Sequence, residues 1–233
     1  MKIKKASIVK LSGLILLIVL IALTCRVTVI PDEVVETYVN EAGETVEVEK
    51  LTYTEQYTLD NWDTKIVPTV KERAVELPQF VSDVAADLDA AGAAYGNRAN
   101  ETSAWSFCVK GEAVVVEIEN EDKPNRTLLT LDLPPYDGKA DCKLFYGKVF
   151  SSNIKNAIRD GVAFLRLDDF ANQVEFADLT NAFNNRVKAD VLSQFTAAAL
   201  VGKTISLYGC ISLTDAAYEN LVVIPVELTV TGG

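Results

Sequence analysis

Histidine is absent from the 233-residue chain, and this absence excludes several classes of enzyme. A Ser-His-Asp triad and a Cys-His pair both need an imidazole as their general base. The usual catalytic zinc sites and haem with a histidine ligand are disfavoured for the same reason. General acid–base chemistry near neutral pH would depend on a carboxyl group or a lysine with a shifted pKa.

Other signatures of catalysis are missing as well. The sequence contains no glycine-rich phosphate loop, no G-x-S-x-G element and no C-x-x-C pair. We therefore expect a protein that is not an enzyme and that has no cofactor and no metal site. A carboxylate-dependent hydrolase remains a weaker alternative, because two suitably placed acids suffice for glycoside hydrolysis.

Basic residues are scarce, with 22 Lys and Arg against 33 Asp and Glu and a net charge of −11. The first 24 residues contain four of the lysines and no acid, so the remainder has 18 basic and 33 acidic residues and a net charge of −15. Such a surface repels phosphate backbones, and nucleic acid is not an expected partner. Anionic lipid headgroups are repelled too, so any membrane attachment must be hydrophobic.

The N-terminus is typical of exported bacterial proteins. A lysine-containing segment, residues 1–10, precedes an apolar run of 14 residues at 11–24, and Cys25 follows. A spanning helix needs about 20 residues, whereas the apolar part of a signal peptide has about 7–15. Cys25 resembles the lipidated cysteine of bacterial lipoproteins, although Thr24 departs from the usual small residue. We predict a cell-envelope protein on the outer face of the cytoplasmic membrane, attached through a lipid at Cys25 or through an uncleaved anchor at 6–24.

Sequence patterns divide the chain after this anchor, residues 1–26, into three parts. Valines alternate with polar residues in the acidic segment 27–54, which predicts a β-hairpin turning at Gly43 or a flexible spacer. Apolar residues at helical spacing predict two helices in 55–103, at 55–77 and 79–94. Pro68 lies inside the first helix and would kink it or mark its start. This part is expected to be a helical hairpin.

From residue 104 onward to 233, apolar residues recur at every second position, which predicts strands. In 177–195 they recur at helical spacing again, which predicts one helix. The predicted strands are 105–119, 127–133, 141–150, 162–167, 203–213 and 221–230. Several strands, one helix and two final strands fit an α+β fold with an OB-like antiparallel β-barrel and one helix before the last two strands. Such a fold predicts no particular function.

Three cysteines, Cys108, Cys142 and Cys210, lie in predicted strands. Free cysteines are commonly buried as small apolar residues, and we favour that interpretation. One disulfide among the three is the alternative, and it would leave an odd thiol.

The stretch from Leu59 to Val230 resembles a bacterial family of predicted periplasmic lipoproteins of unknown function. The segments that carry the resemblance are Trp62–Pro68, Asp168–Ala177 with Asn181–Asn184, Gly202–Thr204 and Ile224–Val226. The family has no established activity, and its members are often companions of sugar-type ABC transporters. The resemblance therefore implies an accessory or binding role in the envelope, with an ABC transporter component as a partner.

The densest polar cluster lies between a predicted strand and a predicted helix. It comprises Asp168, Asp169, Asn172, Gln173 and Glu175, with the apolar Phe170 between them in the chain. Its carboxylates and amides could bind sugar hydroxyl groups, and Phe170 could offer a stacking face. The alternative is structural, since Asp178 is a natural N-cap for the following helix and such residues often serve caps and turns.

These observations lead to two main hypotheses. The first is a non-catalytic envelope lipoprotein that assists uptake or sensing of a small solute, such as a sugar, bound by Asp169, Phe170, Asn172, Gln173 and Glu175. The second is a protein–protein adaptor at the membrane surface, docking through residues 31–50 or an open sheet edge.

Overall fold

The computed structural model describes residues 37–39, 45–47 and 51–232. Cys25 and the predicted signal or anchor segment lie outside the described residues. Contacts divide the chain after Lys50. In the first unit β1 (Thr37–Val39) pairs antiparallel with β2 (Thr45–Glu47). The second unit is a mixed α+β fold that contains all the other elements.

A long helical run opens the second unit. It consists of α1 (Tyr53–Asn61), a π-helical turn (Trp62–Ile66) and α2 (Val67–Arg73). Thr52 begins it with a capping box, accepting from the Glu55 amide while the Glu55 side chain accepts from the Thr52 amide. The π turn ends just before Pro68, as expected where proline disturbs the helical hydrogen bonds.

The second helical run is broken in two. It consists of α3 (Leu77–Ala86) and α4 (Leu88–Tyr95), separated at Asp87, whose side chain accepts from the Ala90 amide at 2.9 Å. The two-residue strand β3 (Val75–Glu76) precedes it.

The two helical runs do not make the expected hairpin, because each packs into a different core. Trp62, Ile66 and Val70 of the first run belong to one hydrophobic cluster. Leu77, Phe80 and Val84 of the second run belong to the other.

Five strands form a closed cycle of pairings. They are β4 (Trp105–Glu119), β5 (Leu128–Asp132), β6 (Cys142–Phe145), β7 (Thr204–Leu213) and β8 (Val222–Gly232). Around the cycle β4 pairs with β5, β5 with β6, β6 with β8, β8 with β7, and β7 with β4 again. The expectation of a wholly antiparallel sheet is wrong at two places, since β6 and β8 are parallel within the cycle and β3 pairs parallel with β4 beside it. An odd number of strands cannot alternate in direction around a closed cycle.

The alternation of side chains along these strands separates two hydrophobic cores. Phe107, Val109 and Leu144 face the inside of the cycle, with the second helical run against them. Their chain neighbours Cys108 and Phe145 face outward, into a second core with the first helical run. The sheet is therefore covered on its outer face as well as filled inside.

The connection between β6 and β7 contains more helix and less strand than expected. It carries α5 (Ala157–Gly161), α6 (Gln173–Arg186), a π turn (Val187–Val191) and α7 (Ala197–Leu200). The predicted strand at 162–167 is absent. Ala163 has a φ of 63°, and the Phe164 amide bonds to the Val162 carbonyl two residues earlier. This tight turn is incompatible with an extended ladder.

β6 ends earlier than predicted, at Phe145 rather than Phe150. The amides of Lys148 and Val149 donate instead to the carbonyls of Pro124 and Asn125 in the β4–β5 loop. This segment therefore folds over the start of β5 and forms a wall beside the outer face of the sheet.

The close pairing of β7 with β8 predicts a sharp effect of one added methyl group. A Cβ at Gly209 would lie 2.6 Å from the Ile224 carbonyl oxygen, so Gly209→Ala should lower the free energy of unfolding by about 2 kcal/mol. Gly232→Ala, in the same ladder, meets nothing closer than 3.7 Å and should change it by less than about 0.5 kcal/mol. Urea unfolding of both variants measures this; equal effects would contradict the described register.

Candidate functional site

The polar cluster predicted at 168–175 lies at the start of α6, and its side chains accept hydrogen bonds mainly from backbone amides. Asn172 is the N-cap, accepting from the amides of Val174 and Glu175 at 2.9 and 3.0 Å. Glu175 accepts from the Ala171 amide at 2.6 Å. Asp178 is not the cap, because the helix begins at Gln173, five residues earlier than Asp178.

Phe170 is 9% exposed and serves packing. Its ring makes edge contacts with Tyr53 and Tyr57 of α1 and a tilted contact with Phe176 of α6. It therefore joins the first helical run to α6, and its faces are largely covered.

The remaining predicted residues do not converge. Asp169 accepts from the Arg166 amide at 3.0 Å, and Gln173 is exposed. A cleft of about 420 Å³ does lie beside α6, lined by Tyr53, Asn172 and Glu175 among others, but Asp169, Phe170 and Gln173 do not line it.

A larger cleft, of about 900 Å³, lies on the outer face of the strand cycle. Its walls come from segments far apart in sequence, which the closed pairing brings together. They are the loop before β4, the β4–β5 loop, residues 149–160 after β6, and the β7–β8 loop.

The rim of this cleft is rich in side-chain amides. Five asparagines line it: Asn120, Asn125, Asn153, Asn156 and Asn220. Ser151, Ser152, Ser212 and Thr214 add hydroxyl groups. Four of these amides each make one hydrogen bond within the protein, namely Asn120, Asn153, Asn156 and Asn220. An amide has two donor hydrogens and an acceptor oxygen with two lone pairs, so the rim retains groups that can donate to and accept from one polar ligand.

The base of the cleft is apolar. Leu128, Phe145, Ile154 and Val222 line it, and Phe145 stacks on Phe150 with ring centroids 4.0 Å apart. An apolar base with a polar rim is the usual construction of a small-molecule site, and 900 Å³ lies within the usual range of about 300–1,000 Å³.

Four charged residues line the cleft: Arg126, Arg159, Asp160 and Glu219. Arg159 and Asp160 form an ion pair at 2.8 Å, and the Arg159 guanidinium lies 4.2 Å from the centre of the Phe176 ring. Arg126 is exposed in the β4–β5 loop. The charges are therefore mixed, without the excess of one sign that a multiply charged ligand requires.

A buried lysine fixes the β7–β8 loop beside the cleft. Lys143 on β6 bonds to Glu119 at 3.0 Å and lies 4.5 Å from the centre of the Tyr218 ring. Burial, with Glu119 nearby, raises the pKa of Tyr218 to about 12. The loop that carries Glu219 and Asn220 is therefore attached to the sheet.

Neither tryptophan lines the cleft. Trp62 is buried against Phe183. Trp105 donates from its ring nitrogen to Asp89 at 2.9 Å, and Arg98 covers its face at 4.1 Å.

The family model for predicted periplasmic lipoproteins, DUF2291, matches residues 15–229. The chain belongs to this family. Its description places this lipoprotein in the cell envelope. No curated protein matches the chain.

An OB-fold protein from Thermotoga maritima, known from a crystal structure, is similar in fold. Its TM-score to this lipoprotein is 0.63 at 15% sequence identity, and the match covers 78% of this chain and 100% of that one. At this identity the similarity concerns the fold alone.

Across the described ranges, no helix is both long and apolar enough to cross a membrane. The same residues contain no group of three metal-ligating side chains.

The larger cleft was not predicted, although several residues of its lining fall between the predicted strands, as Asn120 and Asn125 do between 105–119 and 127–133. Asn120 has a φ of 56°, which asparagine tolerates in a turn. The asparagines at the ends of the predicted strands were the available signal, but the sequence does not show that the β4–β5 and β7–β8 loops line one cleft.

The capping role of Asn172 is testable. Asn172→Ala removes the acceptor of two amides and should lower the free energy of unfolding by about 1 kcal/mol. Asn181→Ala, at an exposed position inside α6, is the matched control and should cost nothing, because alanine favours helix. Chemical denaturation distinguishes them; an unaffected Asn172→Ala protein would contradict the cap.

Proposed function

We propose that this lipoprotein is a non-catalytic binding module that holds a small neutral polar solute, a sugar or related polyol, in the larger cleft. The observation that carries the proposal is the asparagine-rich rim above an apolar base in a cleft of about 900 Å³. Sugar uptake or sensing is the process that such a module would assist, in keeping with the resemblance to companions of sugar-type ABC transporters.

The chemistry of the rim suits a sugar better than an ion. A sugar hydroxyl both donates and accepts a hydrogen bond, and an asparagine amide can accept through its carbonyl oxygen and donate through its NH₂ group. Sugar rings also carry C–H faces, which pack on apolar surface such as the Leu128, Phe145 and Val222 base. The mixed charges of the lining favour a neutral ligand.

The fold supports the same location. The closed cycle of five strands, together with the OB-fold neighbour, leads us to regard the sheet as a small OB-like barrel. Barrels of this kind bind oligosaccharides and oligonucleotides through the loops that correspond to the β4–β5 and β7–β8 loops here. This is an analogy of fold, and the charge of −11 opposes the oligonucleotide.

Binding is favoured over hydrolysis by the state of the acids in the cleft. A glycosidase needs two carboxyl groups flanking the scissile bond. Among the described residues, two carboxylates line the cleft, Asp160 and Glu219. Asp160 is held in an ion pair with Arg159, which leaves only Glu219 outside an ion pair between described residues, one carboxylate fewer than a glycosidase needs.

The proposal predicts a ligand that stabilises the full chain purified in detergent. A panel of monosaccharides, short oligosaccharides and polyols is screened by thermal shift, followed by calorimetry on each hit. A true ligand raises the Tm with dose, because it binds only the folded state. Asn125→Ala should then weaken binding about five- to tenfold, the value of one hydrogen bond.

Gln173→Ala is the matched control, since Gln173 is exposed at the start of α6 and does not line the cleft. Its affinity should equal that of the unmodified protein. Loss of binding in Gln173→Ala with Asn125→Ala unaffected would move the site to α6. A flat screen on a cooperatively unfolding protein would refute sugar binding and favour the adaptor hypothesis.

A further inference from the structure

Cys108 and Cys210 face each other across the β4–β7 ladder. They are direct partners in the register, 102 residues apart in sequence, and their Sγ atoms are 3.9 Å apart. Both are buried, at 2% and 0% exposure. Both point outward from the strand cycle, into the core formed with the first helical run.

The surroundings of the two sulfurs are closely fitted. A Cβ at Gly161 of α5 would lie 3.3 Å from the Cys210 Sγ and 3.5 Å from the Cys108 Sγ. The Gly161 carbonyl accepts from the Cys108 thiol at 3.4 Å and from the Arg73 Nε at 3.1 Å. α5 therefore rests directly on the sulfur pair.

We propose that Cys108 and Cys210 are joined by a disulfide in the exported protein. The proposal rests on the cell-envelope location and is independent of the ligand in the cleft. Oxidising compartments outside the cytoplasm are where protein disulfides form and persist.

The register opposes the two residues directly, an arrangement that a disulfide can span. Directly opposed residues of an antiparallel pair have Cα atoms about 4.5–5.5 Å apart, within the range of about 4.4–6.8 Å found in disulfides. An S–S bond is about 2 Å long, so the sulfurs, 3.9 Å apart as thiols, must move closer through a change of side-chain rotamer. The Gly161 carbonyl keeps its bond from Arg73 when the thiol proton leaves.

The oxidation balances with a disulfide oxidant, a protein or small molecule of the envelope. The Cys108 thiolate attacks the oxidant's disulfide, forming a mixed disulfide and releasing one thiolate. Cys210, as its thiolate, then attacks the Cys108 sulfur and releases the second. Two thiols lose two electrons and two protons, and the oxidant becomes a dithiol. Because both cysteines are buried after folding, the exchange takes place on the incompletely folded chain.

In the folded protein the pKa of the Cys108 thiol is lowered, whereas that of the Cys210 thiol is raised, chiefly by its hydrogen bond to Cys108 and by burial. A hydrogen bond from the Cys210 thiol, with the Arg73 guanidinium acting in the same direction, lowers the pKa of Cys108 against the opposing effect of burial.

Cys142 is excluded from the pair by the pleat of the sheet. It lies on β6 at 0% exposure and belongs to the inner core, on the opposite side of the strand cycle from Cys108 and Cys210. Burial raises the pKa of its thiol far above the usual value, and a thiol in that state is inert. The odd number of cysteines in the strands is thereby explained.

The cross-link would also hold one wall of the larger cleft. α5 carries Arg159 and Asp160, which line the cleft, and the carbonyl of its last residue, Gly161, accepts from the Cys108 thiol. A disulfide that fixes β4 to β7 under α5 keeps this wall in place.

The test uses the full chain exported by a bacterium and purified from membranes in detergent. Free thiols are trapped by alkylation in denaturant without reductant, and peptides are mapped by mass spectrometry. We expect a Cys108–Cys210 linked peptide and an alkylated Cys142. Alkylation of both Cys108 and Cys210 would overturn the proposal, as would a linked peptide that contains Cys142.

A second measurement does not depend on trapping. Protein that is reduced in denaturant and refolded in reductant should have a Tm about 10 °C below that of the oxidised protein, the expected effect of opening a cross-link across some hundred residues. Cys142→Ala should keep this response, whereas the double variant Cys108→Ala, Cys210→Ala should lose it. Identical responses in the two variants would refute the assignment of the pair. A fully reduced protein with an unchanged Tm would refute the stabilising cross-link.

Discussion

Strand β4 pairs with three other strands, briefly with β3 and at length with β5 and β7, and the rest of the second unit is arranged around it. Trp105 to Val114 pair with β7, and Val114 to Glu119 pair with β5 across a register shift. A register shift of this kind bends a strand and increases its twist, which allows one strand to close a cycle of five. Closure also leaves the five strands without a long open edge, the feature through which sheets aggregate.

Closure places chemically different surfaces on the two sides of the same strands. Inward residues such as Phe107 and Leu144 make the inner core, and outward residues such as Cys108 and Phe145 make the outer one. The outer core is incomplete over the ends of β5, β6 and β8, and the larger cleft lies there. The cleft and the buried sulfur pair are therefore two parts of one outer surface, connected by α5.

The spacing of apolar residues along the chain was enough to predict many of the helices and strands. The alternation in 105–119 matches β4, and the stripe of Trp62, Ile66 and Val70 is buried as its spacing indicates. Sequence alone could not separate cap from ligand site at Asn172, because the same amide suits both roles. It could not locate the cleft either, since Asn120, Asn156 and Asn220 meet only through pairings between distant strands. The turn at 162–164 shows the same limit, as an apolar run does not reveal a left-handed residue such as Ala163.

The measurement that tests the account most directly is hydrogen–deuterium exchange of the full chain with and without a millimolar mixture of hexoses and disaccharides. Binding in the larger cleft predicts slower exchange in 120–126, 148–160 and 214–220, where loops lining the cleft have amides to protect. Protection confined to residues 167–178, or none at all on a folded protein, would contradict a sugar site on the outer face of the strand cycle.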